Sequence, residues 1–169
     1  MNATTITLPT PDGPFTVIAD GKAVLASGWT GEVDSLAELI HASIRPAEIA
    51  STAEPQGVLA EAVAAVHDFY AGDLAAIDRV PVRQVSGEFR EHAWDVLRQV
   101  QPGEAITYTE YADRCGRPAA VRAAAGACAM NAAALFVPCH RVLRSDGSLG
   151  GFRYGLPIKN ALLLREATG

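Results

Sequence analysis

The period of the hydrophobic pattern changes along this chain, and that change constrains the fold more than any other feature. The first 30 residues contain short β-rich runs joined by Pro11-Asp12-Gly13-Pro14 and Asp20-Gly21, which are typical of turns between antiparallel strands. From Ser86 onward the apolar residues recur at helical spacing instead. The sequence therefore predicts a small antiparallel sheet followed by a mostly helical region.

Two helices and a subdomain boundary are predicted after the strands. Apolar residues follow helical spacing from Leu36 to Ile44, where Pro46 stops the pattern, and again over residues 57–71. The stretch around 76–87 is typical of a link between subdomains. A chain of 169 residues can hold two small cores. We therefore predict an α/β subdomain over residues 1–82 and a mostly helical subdomain over 83–169.

The second subdomain contains the outline of a helix-turn-helix. Thr107 is placed to cap a short helix that Gly116 ends, and Pro118 opens an Ala-rich helix. This outline fits nucleic-acid binding, and it equally fits two packed helices in any helical domain. The Ala-rich helix carries Arg122 and few other large side chains, so a duplex could lie against it.

The charged residues are distributed unevenly along the chain. Residues 1–82 carry three bases and 11 acids, whereas residues 114–169 carry eight bases and two acids. A polyanion such as nucleic acid would be steered to this final third, although the whole chain has a net charge of −5. A basic surface exposed only to solvent accounts for the same numbers.

Three cysteines, Cys115, Cys128 and Cys139, have no CxxC spacing. Their odd number fits a reducing cytosol, and the first residues lack the pattern of a secretion signal. No apolar run is long enough to span a membrane, so a cytoplasmic protein is expected. The spacing of Cys and His does not match a zinc site, and no glycine-rich nucleotide loop occurs, so no metal and no cofactor are predicted.

Cys139 is followed directly by His140 in the segment PCHRV. A nearby imidazole can lower the pKa of a thiol and make it a nucleophile. Because adjacent side chains usually point apart, a proton would pass between the two groups through a water molecule. The alternative is that Cys139 is a small buried apolar residue and His140 a hydrogen-bonded core histidine.

The chain from about Phe89 to Glu166 resembles the O6-alkylguanine-DNA alkyltransferases, in particular the repair domain of bacterial adaptive-response proteins and their single-domain relatives. The resemblance rests on PCHRV together with Tyr108, Arg122, Asn131 and Gly150 at matching positions. It implies a ribonuclease-H-like α/β amino-terminal subdomain and a carboxy-terminal subdomain with a winged helix-turn-helix.

The resemblance also implies catalytic roles. In that family the cysteine of PCHRV, here Cys139, accepts the alkyl group and stays alkylated. His140 would act as the base through a water molecule, while Glu166 would hold the imidazole in the useful tautomer. Asn131 would brace the turn that carries the cysteine, and Tyr108 would donate a hydrogen bond to guanine N3.

The resemblance further implies that the target base is rotated out of the duplex from the minor groove, with Arg122 filling the vacated space. The expected DNA-binding and substrate-binding residues are Arg122, Tyr108, Ala123, Val142, Gly150, Phe152 and Arg153. Ala119, Ala124 and Ala127 are further small residues expected to face the groove. Phe152 stands where many relatives carry Tyr, and Arg153 stands where animal relatives often carry Ser.

The function expected from the resemblance is direct repair of double-stranded DNA by a monomer. The alkyl group of O6-alkylguanine, and of O4-methylthymine, would be transferred once and irreversibly to Cys139. The alternative is a non-enzymatic protein that recognises alkylated DNA or regulates on the same scaffold. Relatives that only bind carry another residue at the cysteine position, so Cys139 favours the enzyme. A thiol hydrolase would need an oxyanion hole, for which the sequence offers no motif.

Overall fold

A computed structural model describes residues 2–168 and divides them into two compact units. The first unit contains the chain up to Val85 together with Ala132–Phe136. The second unit contains Ser86–Asn131 and the chain from Val137 onward. The boundary thus lies after residue 85, whereas the sequence placed it after residue 82. Nothing in the sequence had indicated that residues 132–136 return to the first unit.

The first unit is built on a four-stranded mixed sheet. Strands β1 (Asn2–Thr10), β2 (Gly13–Ala19) and β3 (Val24–Gly28) are antiparallel neighbours, which confirms the predicted strands. Strand β4 (Glu48–Ser51) follows later in the chain and pairs in parallel with β1, so the order is β3-β2-β1-β4. The sequence did not predict β4, because it has only four residues and no buried, alternating face.

Two helices accompany this sheet. Helix α1 (Val33–Ala37) contacts β2 and β3, and helix α2 (Gly57–Tyr70) contacts β1, β2 and β3. Helix α2 confirms the prediction for residues 57–71, but the prediction of a helix reaching Ile44 is wrong. The Arg45 guanidinium donates to the carbonyls of Glu38 and Ile40, which a longer helix would have used for its own hydrogen bonds.

The core of the first unit also holds the segment Ala132–Phe136. Ser27 N donates to Ala132 O at 2.8 Å, and Ser27 Oγ donates to Ala134 O at 2.8 Å. The Phe136 ring lies 6.4 Å from the ring of Phe15, which is itself wholly buried. The chain therefore crosses the first unit immediately before it reaches PCHRV.

The second unit contains four helices and a short strand pair. In chain order these are α3 (Glu88–Leu97), β5 (Ile106–Thr107), α4 (Tyr108–Arg114), α5 (Val121–Ala129), β6 (Val142–Leu143) and α6 (Leu156–Thr168). Strands β5 and β6 pair in parallel.

No helix formed by residues 2–168 combines the length and apolar character needed to cross a membrane.

The helix-turn-helix consists of α4 and α5 and was predicted correctly in outline. The Thr107 side chain caps α4 by accepting from Glu110 N at 3.1 Å, and Gly116 follows the helix with φ +83°. Helix α5 begins at Val121 rather than at Pro118, because Ala120 N donates to Arg117 O at 2.9 Å and closes a turn there. The ring nitrogen of Trp94 on α3 donates to a carbonyl of α5 at 2.8 Å.

Candidate active site

Cys139 opens a one-turn 3-10 helix, Cys139–Arg141, which leads directly into β6. Its backbone N–H donates to Val137 O at 2.8 Å and so shapes the entry to the turn. The side chain of Cys139 is half-buried, whereas His140 and Arg141 are each 1% exposed. Cys139 is thus the most exposed residue of this turn, and the two ionisable side chains that follow it are buried.

Asn131 is hydrogen-bonded to the segment that leads into this turn. It is buried, and its Nδ2 donates to Val137 O at 2.8 Å. A hydrogen bond between its side chain and Cys139 lowers the pKa of the thiol, against the larger effect of burial, which raises it. Asn131 therefore both shapes the turn and favours the thiolate.

His140 and Glu166 form a buried pair. His140 Nε2 and Glu166 Oε2 are 2.9 Å apart, and both side chains are 1% exposed. An ionised carboxylate can only accept, so the proton lies on Nε2 and the neutral ring presents a lone pair at Nδ1. Among residues 2–168 the buried Nδ1 has no hydrogen-bond partner. This tautomer makes Nδ1 the basic atom of the site.

Arg141 is a third member of the buried cluster that the sequence did not reveal. Its Nε donates to both carboxylate oxygens of Glu166 at 3.0 and 3.1 Å, and its Nη2 donates to Oε2 at 2.8 Å. Its Nη1 donates to Val100 O at 2.7 Å. A signal was present, because an arginine inside the apolar run ALFVPCHRVL needs a buried partner.

The pKa shifts of His140 and Glu166 fit a neutral imidazole held by an ionised carboxylate. Burial lowers the pKa of His140, although Glu166 opposes the shift, so the imidazole is neutral at neutral pH. Burial alone would raise the pKa of Glu166, but the hydrogen bonds and charges of His140 and Arg141 together bring it below its usual value. The carboxylate therefore stays ionised and keeps the tautomer of His140 fixed.

Tyr108 and Gly150 lie against one another. Tyr108 begins α4 and is half-buried, and burial raises its pKa to about 12, so its hydroxyl remains a donor at neutral pH. Gly150 has φ +72°, and a Cβ there would lie 3.5 Å from Tyr108 Cε2 and 3.4 Å from Arg144 Cγ. The left-handed backbone conformation favours glycine at this position, whereas a Cβ would make only ordinary van der Waals contact with Tyr108.

The remaining predicted pocket residues lie in β6 and in the loop between β6 and α6. Phe152 is half-buried and packs edge-to-face on Tyr154 with ring centroids 5.7 Å apart. Arg153 is exposed, and its guanidinium donates to Ala129 O. Val142 is wholly buried in β6. Tyr154 was not predicted; burial raises its pKa to about 12, and it interacts electrostatically with Cys139.

Helix α5 presents only part of its small residues to solvent. Arg122 and Ala123 are exposed, and Ala119 is exposed in the preceding turn. Ala124 and Ala127 are wholly buried, so the expectation that they face a DNA groove is wrong. The helical period places these two alanines on the inner face, where small side chains allow close packing on α3.

Among residues 2–168 no cluster of His, Cys, Asp or Glu could hold a metal ion.

The second unit combines a helix-turn-helix, an element found in many DNA-binding proteins, with a half-buried cysteine and a buried His-Glu-Arg cluster. Residues 88–168 match the DNA-binding domain of 6-O-methylguanine DNA methyltransferase. The chain is 33% identical over 162 residues to the methylated-DNA–protein-cysteine methyltransferase of Salmonella typhimurium, covering 94% of this chain and 92% of that protein. The chain belongs to the methylated-DNA–protein-cysteine methyltransferase family.

Two further proteins align with this chain over different fractions of their own length. Over 79 residues the chain is 48% identical to the bifunctional transcriptional activator/DNA repair enzyme Ada of Escherichia coli; this alignment covers 47% of this chain and 22% of Ada. The crystal structure of Mycobacterium tuberculosis OGT in complex with DNA aligns with a TM-score of 0.79 and 26% identity over 99% of this chain and 94% of that one. The similarity to the solved structure and to the Salmonella typhimurium relative extends over nearly the whole chain.

Proposed function

We propose that this protein repairs alkylated DNA by moving the alkyl group from guanine O6 to Sγ of Cys139, once per protein molecule. O4-methylthymine offers the same chemistry and is proposed as a second substrate. The observation that carries the proposal is a half-buried Cys139 followed directly by His140, whose buried pair with Glu166 leaves Nδ1 without a hydrogen-bond partner among residues 2–168. No cofactor takes part, because the thiol itself is the acceptor.

The reaction is an in-line displacement at the alkyl carbon. The thiol proton passes through a water molecule to His140 Nδ1, and the thiolate forms an S–C bond as the C–O6 bond breaks. The electron pair of that bond remains on the purine, where a hydrogen bond from Tyr108 to N3 stabilises the developing charge. The proton then returns from His140 to the guanine. The thioether on Cys139 is stable, so the protein is consumed.

The target nucleotide must leave the helix before this reaction, because O6 lies within the base stack and a half-buried thiol cannot reach it there. Arg122 and Ala123 are exposed on α5, so they are available to enter the minor groove. Arg122 would occupy the space that the base vacates. Val142, Gly150, Phe152 and Arg153 would surround the extruded base through their side chains or backbone.

Intact-mass measurement tests the proposed function. Wild-type protein incubated with a duplex that contains one O6-methylguanine is expected to gain a single methyl group, about 14 Da, located on Cys139 by peptide mapping. A matched duplex with unmodified guanine serves as the control. Tight binding without a mass gain would assign the protein to alkylated-DNA recognition, and repeated turnover on excess DNA would assign it to hydrolysis.

Replacing Arg122 with Ala is expected to slow methyl transfer on duplex DNA by about tenfold, because base extrusion costs a few kcal/mol and the variant cannot fill the gap. Transfer from the same lesion in single-stranded DNA should change little, since no partner base has to be replaced. Single-turnover rates on the two substrates check this. Arg79→Ala, which removes an exposed arginine of the first unit, is the control. If Arg122→Ala slowed transfer equally on duplex and single-stranded DNA, Arg122 would have no role in base extrusion.

A monomer and a cytoplasmic location belong to the same proposal. One chain carries the thiol, the base and the helix-turn-helix, so a second copy is not needed for the chemistry. Its three cysteines are free, which suits a reducing compartment. Light scattering with and without a lesion-containing duplex checks the first point, and cell fractionation checks the second.

A further inference from the structure

Lys159 is a buried charge that has no carboxylate partner among residues 2–168. It lies on α6 and its side chain is wholly buried. Its Nζ donates to three backbone carbonyls, those of Val142 at 2.8 Å, Leu149 at 2.5 Å and Gly151 at 3.3 Å. Helical spacing places it on the same face of α6 as Glu166, which belongs to the active site.

These hydrogen bonds connect the loop around Gly150, here called the Gly150 loop, to strand β6, which follows the Cys139–Arg141 turn. Val142 is the first residue after the Cys139–Arg141 turn, while Leu149 and Gly151 flank Gly150. The ammonium group of Lys159 therefore connects the end of the Cys139–Arg141 turn to the Gly150 loop, at the point where Gly150 contacts Tyr108. A neutral side chain could fill the same space, but it could not donate three hydrogen bonds to these carbonyls.

Burying an ammonium without an anion is costly, even when carbonyl dipoles surround it. The ionisable groups that interact with Lys159 are the thiols of Cys139 and Cys128, the guanidinium of Arg144 and the imidazole of His140, whose pKa the ammonium lowers. Glu166 is held by His140 and Arg141 instead. The anion that would balance the Lys159 charge is therefore a thiolate, and Cys139 is the thiol that the proposed reaction ionises.

The electrostatics of Cys139 agree with this arrangement. Burial raises the pKa of the thiol, and the groups that oppose the shift are Asn131, Lys159 and Arg153. Of the two cations, Lys159 is buried and held by three hydrogen bonds, while Arg153 is exposed. A charge held rigidly and away from water acts more strongly on a neighbouring ion than a solvated one does.

We propose that Lys159 is a positioning residue for alkyl transfer, which holds the Gly150 loop against β6 and supplies the fixed positive charge that stabilises the Cys139 thiolate as it forms. The inference rests on the proposed function, because it takes Cys139 as the acceptor. Lys159 gives up no proton in this scheme. The thiol proton goes to His140, the thiolate forms the S–C bond, and the sulfur is neutral again after transfer.

Lys159→Met tests the proposal, with Lys22→Met as a matched control, since these are the two lysines of the chain and Lys22 is exposed. The rate at which iodoacetamide labels Cys139 is measured against pH by peptide mapping, without DNA. In Lys159→Met the profile should move to higher pH, with labelling about tenfold slower at neutral pH. Methyl transfer from duplex DNA should slow by a similar factor at unchanged DNA affinity. Lys22→Met should match the wild type.

The two proposals fail in different ways. Normal methyl transfer by Lys159→Met, or slower transfer with an unmoved labelling profile, would overturn the role of the charge and leave the proposed function intact. A wild-type protein that accepts no methyl group would overturn the proposed function. A displaced labelling profile in that case would still support the action of Lys159 on the thiol.

Lysine-selective NMR of the wild-type protein makes the test independent of how Lys159→Met folds. Protein labelled with ¹³Cε-lysine gives two signals, one from Lys159 and one from Lys22. We expect the Lys159 signal to shift as Cys139 ionises on raising the pH, and to shift again when the sulfur becomes a thioether. The Lys22 signal is the internal control. A Lys159 signal that responds to neither change contradicts the proposal.

Discussion

Replacing Cys139 with Ser is expected to abolish methyl transfer, with no mass gain during a time in which the wild-type protein reacts completely. A serine hydroxyl ionises at far higher pH than a thiol and is a much weaker nucleophile, so the neutral imidazole of His140 cannot activate it sufficiently. Oxygen and sulfur differ little in size, and the side chain at this position is only half-buried. The fold and the affinity for DNA should therefore persist.

Cys115→Ser is the matched control for this experiment. Cys115 ends α4 and is buried, and it has no part in the proposed reaction. The variant should accept one methyl group per molecule, as the wild-type protein does. Methyl transfer to Cys139→Ser, or a methyl group found on another cysteine of the wild-type protein, would contradict the assignment of the acceptor.

Replacing Arg141 with Met is expected to lower the free energy of unfolding by about 3–5 kcal/mol at neutral pH, because the change leaves a buried carboxylate without its main cation. Glu166 would lose three hydrogen bonds, and Val100 O would lose its donor. Urea unfolding monitored by circular dichroism measures the change. Arg79→Met is the control: the Arg79–Asp73 pair is short at 2.6 Å, but its side chains are 63% and 45% exposed. Little change is expected there.

The loss caused by Arg141→Met should depend on pH in a defined direction. The pKa of Glu166 is lower in the folded protein than its usual value, so its ionised form contributes stability above that usual value. This contribution is lost as the pH falls through the folded-state pKa. The difference between the wild type and Arg141→Met should therefore be largest at neutral pH and shrink below about pH 4. A difference that does not vary with pH would assign the effect to packing.

Local features were predictable because they depend on a few neighbouring residues. The Asp20 side chain accepts from the backbone N–H groups of Lys22 and Ala23, both at 2.8 Å, and makes the turn that its sequence indicated. Thr107 caps α4 for the same kind of reason. The prediction of a helix up to Ile44 failed where a more distant group intervened: Arg45 takes carbonyls that the helical pattern alone would have assigned to the helix.

The sequence by itself indicated the first three strands and the helix-turn-helix outline and singled out the PCHRV segment, and the resemblance added Asn131 and Glu166 as expected site residues. Only the tertiary structure decided that Arg141 shares Glu166 with His140, and that Lys159 lies buried among three carbonyls. Turn and helix signals act over a few residues, within reach of the backbone. Glu166 lies 25 residues beyond Arg141, and the two become partners only when packing removes water from both.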